Sequence, residues 1–335
     1  MKTKILFVER KISSAVSIEK VFRQMAKSLS KENFISSFRQ LKYSNGALGT
    51  IKNLLLFKKP PADIYHITGH IHYMALVLPK INTILTIHDV GILHLRSGLK
   101  RFILKKLLLD LPVGRLKYIT AVSEATKKEI VFYTNCDERK IRVIENPLQE
   151  HFKATEKKFF DAREPLILQI GTTANKNLAN LIKAIAGIKC RLKIIGELDV
   201  ETVNLLKESR INYKNTMNLN DTEIRKEYEE ADMVTFCSTF EGFGLPIIEA
   251  QAMLTPVITS DLSPMNEVAG EGAALVNPHD SNEIKAGILR IINDELYRNN
   301  LVNHGIQNIK KYRPENVAFK YESLYSELFK IAHIT

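Results

Sequence analysis

The stretch Phe236-Cys237-Ser238-Thr239-Phe240-Glu241-Gly242-Phe243-Gly244-Leu245-Pro246-Ile247-Ile248-Glu249-Ala250 decides how the rest of the chain is read. The apolar run from Met233 to Cys237 ahead of it predicts a short buried strand. Gly242 and Gly244 let the backbone turn sharply and approach a ligand closely. Pro246 sits at the start of a helix, where a missing N–H costs nothing. The order is therefore strand, glycine loop, helix N-terminus. The free N–H groups of such a terminus attract anions, phosphate above all.

Glu241 and Glu249 frame this loop with seven residues between them. Glu241 lies in the loop and Glu249 about one turn inside the helix, facing the same cleft as the glycines. A carboxylate accepts hydrogen bonds in pairs, and vicinal sugar hydroxyls donate in pairs. Phosphate-directed amides between two hydroxyl-directed carboxylates suit a sugar nucleotide. The competing account is an ordinary helix start with acidic residues placed for the helix dipole. That account leaves two glycines, an exposed Phe243 and two carboxylates in one loop unexplained.

Working outward, 335 residues suit two domains. A hydrophobic fraction of 45% and a charged fraction of 25% are those of a soluble globular protein. No apolar run is long enough to span a bilayer. The basic and apolar start, Met1 to Glu9, reads as a first strand, because a secretory signal needs a longer apolar region and a small-residue cleavage site. Cys136, Cys190 and Cys237 are widely spaced, which suits a reducing cytoplasm and argues against a disulfide framework or zinc site. The net charge of +11 attracts nucleic acid, anionic lipid or phosphorylated substrates without choosing among them.

The first half alternates strand and helix. Strands are expected at Lys4–Glu9, Phe34–Leu41, Asp63–Gly69, Thr83–Ile87, Tyr118–Val122 and Lys140–Ile144, with a helix over Ser17–Ser30 and Ser123 as an N-cap. His66, His70 and His72 raise a metal site, but imidazoles at a strand end more often line a cleft or satisfy a backbone group. His88 stands at the carboxyl end of the fourth strand, where ligands of open α/β sheets sit. From the residues alone a lone histidine capping the strand is the favoured reading. Leu99 to Leu111 reads as a basic amphipathic helix, with Lys100, Arg101, Lys105 and Lys106 on one face and Phe102, Ile103, Leu107 and Leu108 on the other. Its apolar side either packs into the core or docks on an anionic membrane.

Asn146-Pro147 breaks the pattern, and the charged segment after it reads as a linker. The alternation then restarts with a strand at Leu166–Ile170 and the loop Gly171-Thr172-Thr173-Ala174-Asn175-Lys176-Asn177. A helix over Leu178–Ala186 follows, so Lys176 opposes a helix dipole, a conflict that a bound anion between them would resolve. Further helices are expected at Glu201–Ser209, Asp221–Glu230, Ser281–Asn293, Leu296–Lys311 and after Pro314, with strands at Leu192–Ile195 and Val257–Thr259. Two α/β halves with parallel sheets follow from this order.

The segment FEGFGLPIIEA, followed by PVITSDLSPMNEVAGEGAALV, resembles the retaining GT-B glycosyltransferases of the large family that contains sucrose synthase and many bacterial mannosyl- and glucosyltransferases, in particular those of polysaccharide and O-antigen synthesis. The resemblance is strong from Pro165 to Asn293 and continuous but weaker from Met1 to Pro147. It implies two Rossmann-like domains facing across a cleft: residues 1–152 with 314–335 as the acceptor domain, 153–164 as linker and 165–313 as the nucleotide-sugar domain. The last helix crosses back to the first domain. It matches His88 to an active-site histidine that reaches the transferred sugar. It matches Lys176 to one member of a basic pair on the donor diphosphate, the other being replaced by Thr172 or Thr173, after Gly171. Glu249 is implied to bind ribose, and Glu241 with the Phe243 and Gly244 amides to hold the sugar. The amides from Gly242 to Leu245 are implied to meet the diphosphate, and the backbone of Asn212–Leu219 to meet the base. The family's glycine-rich first loop is absent here; Arg10 to Val16 has no glycine, leaving Lys11, Ser13 or Ser14 as substitutes or a plain turn.

The reaction implied is transfer of a hexosyl group from a nucleoside diphosphate sugar to a hydroxyl of a glycan or lipid-linked acceptor, with no cofactor. No D-x-D triplet occurs in the chain, so a metal-bridged diphosphate is not expected. The expected location is the cytoplasm, with the inner membrane face as an optional docking surface. A sugar-nucleotide epimerase or a phosphorylase would share the architecture. A nucleic-acid binder is disfavoured, since no basic and aromatic interleaving or binding motif is present.

Overall fold

The computed structural model describes residues 2–11, 17–44, 46–94, 97–154, 156 and 159–334. The chain forms two compact units: Met1–Pro147 with Arg313–Thr335, and Leu148–Tyr312. Ser13 and Ser14, offered above as phosphate contacts, lie outside the described residues.

The first unit runs β1 (Thr3–Glu9), α1 (Ser17–Lys27), β2 (Phe34–Gln40), α2 (Ala47–Leu56), β3 (Ile64–Ile67), a 3-10 turn (His72–Leu76), β4 (Thr83–Ile87), α3 (Gly91–His94), α4 (Gly98–Lys105), a π turn (Lys106–Asp110), α5 (Leu111–Arg115), β5 (Tyr118–Ala121), α6 (Glu124–Thr134) and β6 (Ile141–Val143). Its sheet has the order β2-β1-β3-β4-β5-β6, and every pairing is parallel. The central strands β3 and β4 are buried along their whole length, as expected of strands covered on both faces. Ser123 caps α6 by accepting the Thr126 N–H at 3.1 Å.

The second unit runs β7 (Leu166–Ile170), a 3-10 turn (Ala174–Lys176), α7 (Leu178–Ile185), β8 (Arg191–Ile195), α8 (Val200–Glu208), β9 (Asn212–Thr216), α9 (Asp221–Glu230), β10 (Met233–Phe236), α10 (Leu245–Ala252), β11 (Val257–Ser260), α11 (Met265–Ala269), β12 (Ala274–Val276), α12 (Ser281–Asn293) and α13 (Glu295–Asn308). Its sheet, β12-β11-β10-β7-β8-β9, is also parallel throughout. The unit starts at Leu148, earlier than the expected boundary. The Leu148 N–H bonds the Tyr312 carbonyl at 2.8 Å, and the Ala154 N–H bonds the Ala252 carbonyl at 3.2 Å. Phe160, from the segment expected to be a linker, packs on the second core.

The last helix, α14 (Pro314–Ile334), belongs to the first unit. Its buried Tyr325 hydroxyl meets His66 Nδ1 at 2.7 Å, and its Glu322 accepts the Ser30 N–H at 2.5 Å. On the surface Glu327 pairs with Arg142 at 2.6 Å.

Several elements differ from expectation for identifiable reasons. β9 is a strand that was not singled out, because its edge position needs no apolar run: NYKNT is half exposed along its length. β12 has only three residues, and α2 turns Asn53 and Leu54 toward the first core while Leu48, Ile51, Leu55 and Leu56 stay exposed. The single helix expected over Leu99–Leu111 is α4 followed by the π turn, and none of α4 is buried.

Candidate active site

In the second sheet β8 and β9 extend to one side of β7, while β10, β11 and β12 extend to the other. The direction of the chain's travel across the sheet therefore reverses between β7 and β10. At such a switch point the two following helices leave on opposite faces, and the loops after the strands part to leave a crevice. The loops here are Gly171–Asn177 and Cys237–Gly244, the two stretches that the sequence singled out.

The loops are tied together. The Thr239 N–H donates to the Asn175 carbonyl at 2.8 Å, and the Asn175 side-chain amide donates to the Phe240 carbonyl at 3.0 Å. Lys176 Nζ then donates to Glu241 Oε1 at 2.6 Å and lies 4.6 Å from the centre of the Phe236 ring. Gly171 is required for this. Its φ is +84°, and a Cβ there would sit 2.9 Å from Lys176 Cγ, so a larger residue displaces the lysine. Gln169, buried in the sheet, supports the loop by donating to the Gly171 carbonyl at 3.3 Å and the Lys176 carbonyl at 3.2 Å. Thr235 on β10 donates to Gln169 Oε1 at 3.0 Å. Gln169 was not singled out in the sequence; the signal was a lone amide in an otherwise apolar strand.

Gly244 caps α10 with φ +113°, the left-handed conformation that glycine tolerates. Among the described residues, the N–H groups of Phe243, Gly244 and Leu245 donate to no protein acceptor. They are the open donors of a helix start. The Phe243 side chain is not exposed, contrary to expectation: it is 4% accessible and meets the Tyr312 ring edge-on at 5.6 Å. Its partner lies far along the chain, so burial was not readable locally. The loop offers a ligand the Phe243 backbone rather than its ring.

Thr172 and Thr173 have their hydroxyl protons engaged. Thr172 donates to the Glu197 carbonyl at 2.5 Å and Thr173 to Asn175 Oδ1 at 2.8 Å. Glu249 is buried in α10, and its Oε2 accepts the Tyr228 hydroxyl at 2.6 Å. Burial pushes the Glu249 carboxyl up to about 7, opposed by the Tyr228 hydrogen bond and by the charge of Lys176. The second unit thus brings Gly171, Lys176 and Glu241 together beside the loop that starts α10, with Glu249 buried in that helix.

In the first unit His88 follows β4. Its Nε2 lies 2.9 Å from the Thr68 carbonyl. A carbonyl only accepts, so Nε2 carries the proton and Nδ1 is left as a bare acceptor. Asp89 next to it accepts the Gly91 N–H at 2.8 Å and lies 3.7 Å from His70 Nε2. His66 is separate from this group. It is fully buried between Tyr325 and Thr86, whose hydroxyl lies 2.7 Å from Nε2. His72 places Nδ1 2.7 Å from the Leu108 carbonyl. Among the described residues no group of three or more His, Cys, Asp or Glu side chains is arranged to hold a metal ion.

Burial lowers His66 to about 3, His72 to about 4 and His88 to about 3. A depressed imidazole contributes full stability above its unfolded value near 6.5 and loses it as pH falls toward the folded value. Each costs about 1.4 kcal/mol per pH unit in that window. Glu249 has the opposite sign, since its folded form holds a proton that the unfolded chain releases above about 4.5. Between pH 6.5 and 5 the three imidazoles outweigh the one carboxyl. The melting temperature is expected to fall steadily from pH 7 to pH 5; a flat or rising profile in a thermal melt contradicts the neutral buried histidines.

Known proteins resemble this chain in sequence and in fold. The family model described as "Glycosyl transferases group 1" matches residues 151–308, and that described as "Glycosyltransferase Family 4" matches residues 29–151. The O-antigen chain mannosyltransferase RfbU of Salmonella typhimurium is 28% identical over 220 residues, covering 63% of this chain and 61% of that protein. The capsular polysaccharide biosynthesis glycosyltransferase CapM of Staphylococcus aureus is 29% identical over 238 residues, covering 63% of this chain and 62% of that protein. The chain thus aligns with about three-fifths of the length of these relatives. Anabaena Alr3699/HepE, solved in complex with UDP and glucose, superposes with a TM-score of 0.79 at 14% identity, over 97% of this chain and 100% of that one. WaaG, a glycosyltransferase involved in lipopolysaccharide biosynthesis, gives 0.71 at 12% identity, over 96% and 99%. At such identities the structures show the fold alone, which is GT-B with two Rossmann-like domains. The two family matches together run from residue 29 to residue 308, and the chain belongs to the glycosyltransferase family of the group 1 glycosyl transferases.

Proposed function

We propose that this protein transfers a hexosyl group from a nucleoside diphosphate sugar to a hydroxyl of a glycan or lipid-linked acceptor in cell-surface polysaccharide synthesis, with retention of anomeric configuration and without a metal. The observation that carries the reading is the contact of Lys176 with Glu241 at the switch point of the second sheet, beside the open N–H groups of Phe243, Gly244 and Leu245. A cation and a set of aimed amides answer the negative charge that grows on a departing diphosphate. A carboxylate within reach of the same lysine suits the hydroxyls of the sugar beside it. Glu249, deeper in α10, suits ribose. The complex of HepE with UDP-glucose and the mannosyltransferases among the relatives support a nucleotide-sugar donor and a polysaccharide product.

In this reading Lys176, Glu241 and His88 are catalytic. Lys176 exchanges Glu241 for the diphosphate when donor binds. Gly171 keeps the space that the lysine crosses. Thr172 and Thr173 contribute only after their hydroxyls rotate away from Glu197 and Asn175, so the lysine and the amides carry most of the leaving charge. His88 stays neutral and offers Nδ1 as an acceptor for a sugar hydroxyl. Metal independence rests on the absence of a D-x-D triplet from the sequence. With wild-type turnover measured in EDTA as the reference, Lys176→Ala is expected to lower kcat by roughly a hundred- to a thousand-fold. An unchanged kcat rejects the role of Lys176, and loss of wild-type turnover in EDTA rejects metal independence.

The membrane partner is supported by the first unit's surface. No described helix is long and apolar enough to cross a membrane. On α4, Leu99, Phe102 and Ile103 are exposed beside Lys100 and Arg101. Lys105 and Lys106 pair with Asp110 at 2.7 and 3.1 Å, so they offer less charge to a surface. On α2 the exposed Leu48, Ile51, Leu55 and Leu56 are accompanied by Lys52, and Lys58 and Lys59 follow the helix. Apolar side chains among cations suit an anionic bilayer surface, each cation adding about 1 kcal/mol. Liposome flotation is expected to recover the protein with vesicles containing anionic lipid and not with neutral ones; equal partitioning ends the membrane reading.

A further inference from the structure

Tyr228 lies in α9, fully buried, with its ring edge-on to Phe152 at 5.2 Å. Its hydroxyl donates to Glu249 Oε2 at 2.6 Å, and among the described residues no other group donates to that carboxylate. A buried phenol needs a partner, so the bond satisfies Tyr228 in any account. Its effect on Glu249 is less ordinary. A buried carboxylate with one oxygen fixed keeps a single orientation. Its second oxygen then has a defined direction in which to accept hydroxyls.

We propose that Tyr228 is a positioning residue for nucleotide binding, its hydroxyl clamping one oxygen of Glu249 so that the other is presented to the ribose hydroxyls of a nucleoside diphosphate. The inference rests on the donor-site reading of the second unit. The groups that act on Glu249 are Tyr228 and Asp221 from α9 and Lys176 from the loop after β7. Burial and Asp221 favour the protonated form, whereas Tyr228 and Lys176 favour the carboxylate. Tyr228 therefore also helps to keep the acceptor ionised. Without its hydroxyl, Glu249 takes up a proton at a higher pH and becomes a poorer partner for hydroxyls.

The test is calorimetric titration of UDP, GDP, ADP and dTDP into wild type, Tyr228→Phe and Glu249→Gln at several pH values between 6 and 9. The phosphate titration of the ligand is common to all three proteins and cancels in the ratio of their dissociation constants. Tyr228→Phe is expected to weaken binding of the preferred nucleotide roughly tenfold at pH 7, the loss of one charged hydrogen bond. The loss should shrink as pH rises. Glu249→Gln should show a weaker affinity whose ratio to wild type grows with pH. If Tyr228→Phe binds as tightly as wild type at every pH, or is weakened by one constant factor, the assignment falls and the bond is only structural. Should Tyr228→Phe not fold, Glu249→Gln still decides: binding as tight as wild type at every pH shows that the carboxylate held by Tyr228 does not meet the nucleotide and overturns the proposal. Failure of wild type to bind any of the four nucleotides overturns the donor-site reading itself, and with it this inference.

Discussion

Met233, Val234 and Thr235 of β10 pair in parallel with Ile167, Leu168 and Gln169 of β7. Parallel strands release their following loops at the same end of the sheet. The chain turns in opposite directions after these two strands, the place where such sheets bind ligands, and the two loops meet there through Asn175, Thr239, Lys176 and Glu241. The pairing thus fixes both the location of the crevice and its chemistry: one loop contributes a lysine, the other a carboxylate and a helix start. Gln169 and Thr235 reinforce it from inside the sheet, where an unpaired amide would be costly. Gly171 and Gly244 complete it, each in a backbone conformation that a side chain would strain.

The contact between Lys176 and Glu241 also sets the charge balance of the site. Both side chains are mostly shielded from water, with 20% and 14% of their surface accessible. A charge in such a place needs a partner, and removing one partner is more costly than the pair is stabilising. The two residues neutralise one another, and in the proposed reading an anion and a set of hydroxyls replace each partner when donor binds. A diphosphate linked to a sugar supplies both in one molecule. Glu249 follows a different rule, since burial presses it toward neutrality and only Tyr228 and Lys176 oppose that pressure.

Much of this was legible in the residues. The alternation of apolar runs with helical spacing gave most of the strands of both sheets, and the glycine loop gave the start of α10. Lys176 stood out because a lysine at that point opposes the dipole of the helix that follows. Features made by distant partners were not legible. Phe243 is buried by Tyr312, and Tyr228 meets Glu249 across two helices; neither contact has a local signature. β9 is polar because it is an edge strand, and α2 sets exposed leucines beside a core face made by Asn53 and Leu54. The three early histidines looked alike in the sequence. Their fates diverge because His66 points into the core beneath α14 while His70 remains at the strand end, near Asp89.

The most direct test of the central claim is thermal stability in the presence of UDP-, GDP-, ADP- and dTDP-sugars, for wild type and Lys176→Ala. A ligand at a hundred times its dissociation constant adds about 2.7 kcal/mol of stability. At least one of the four classes is expected to raise the wild-type melting temperature, and Lys176→Ala is expected to lose most of that rise. The account is contradicted if none of the four stabilises the protein, or if Lys176→Ala responds as wild type does.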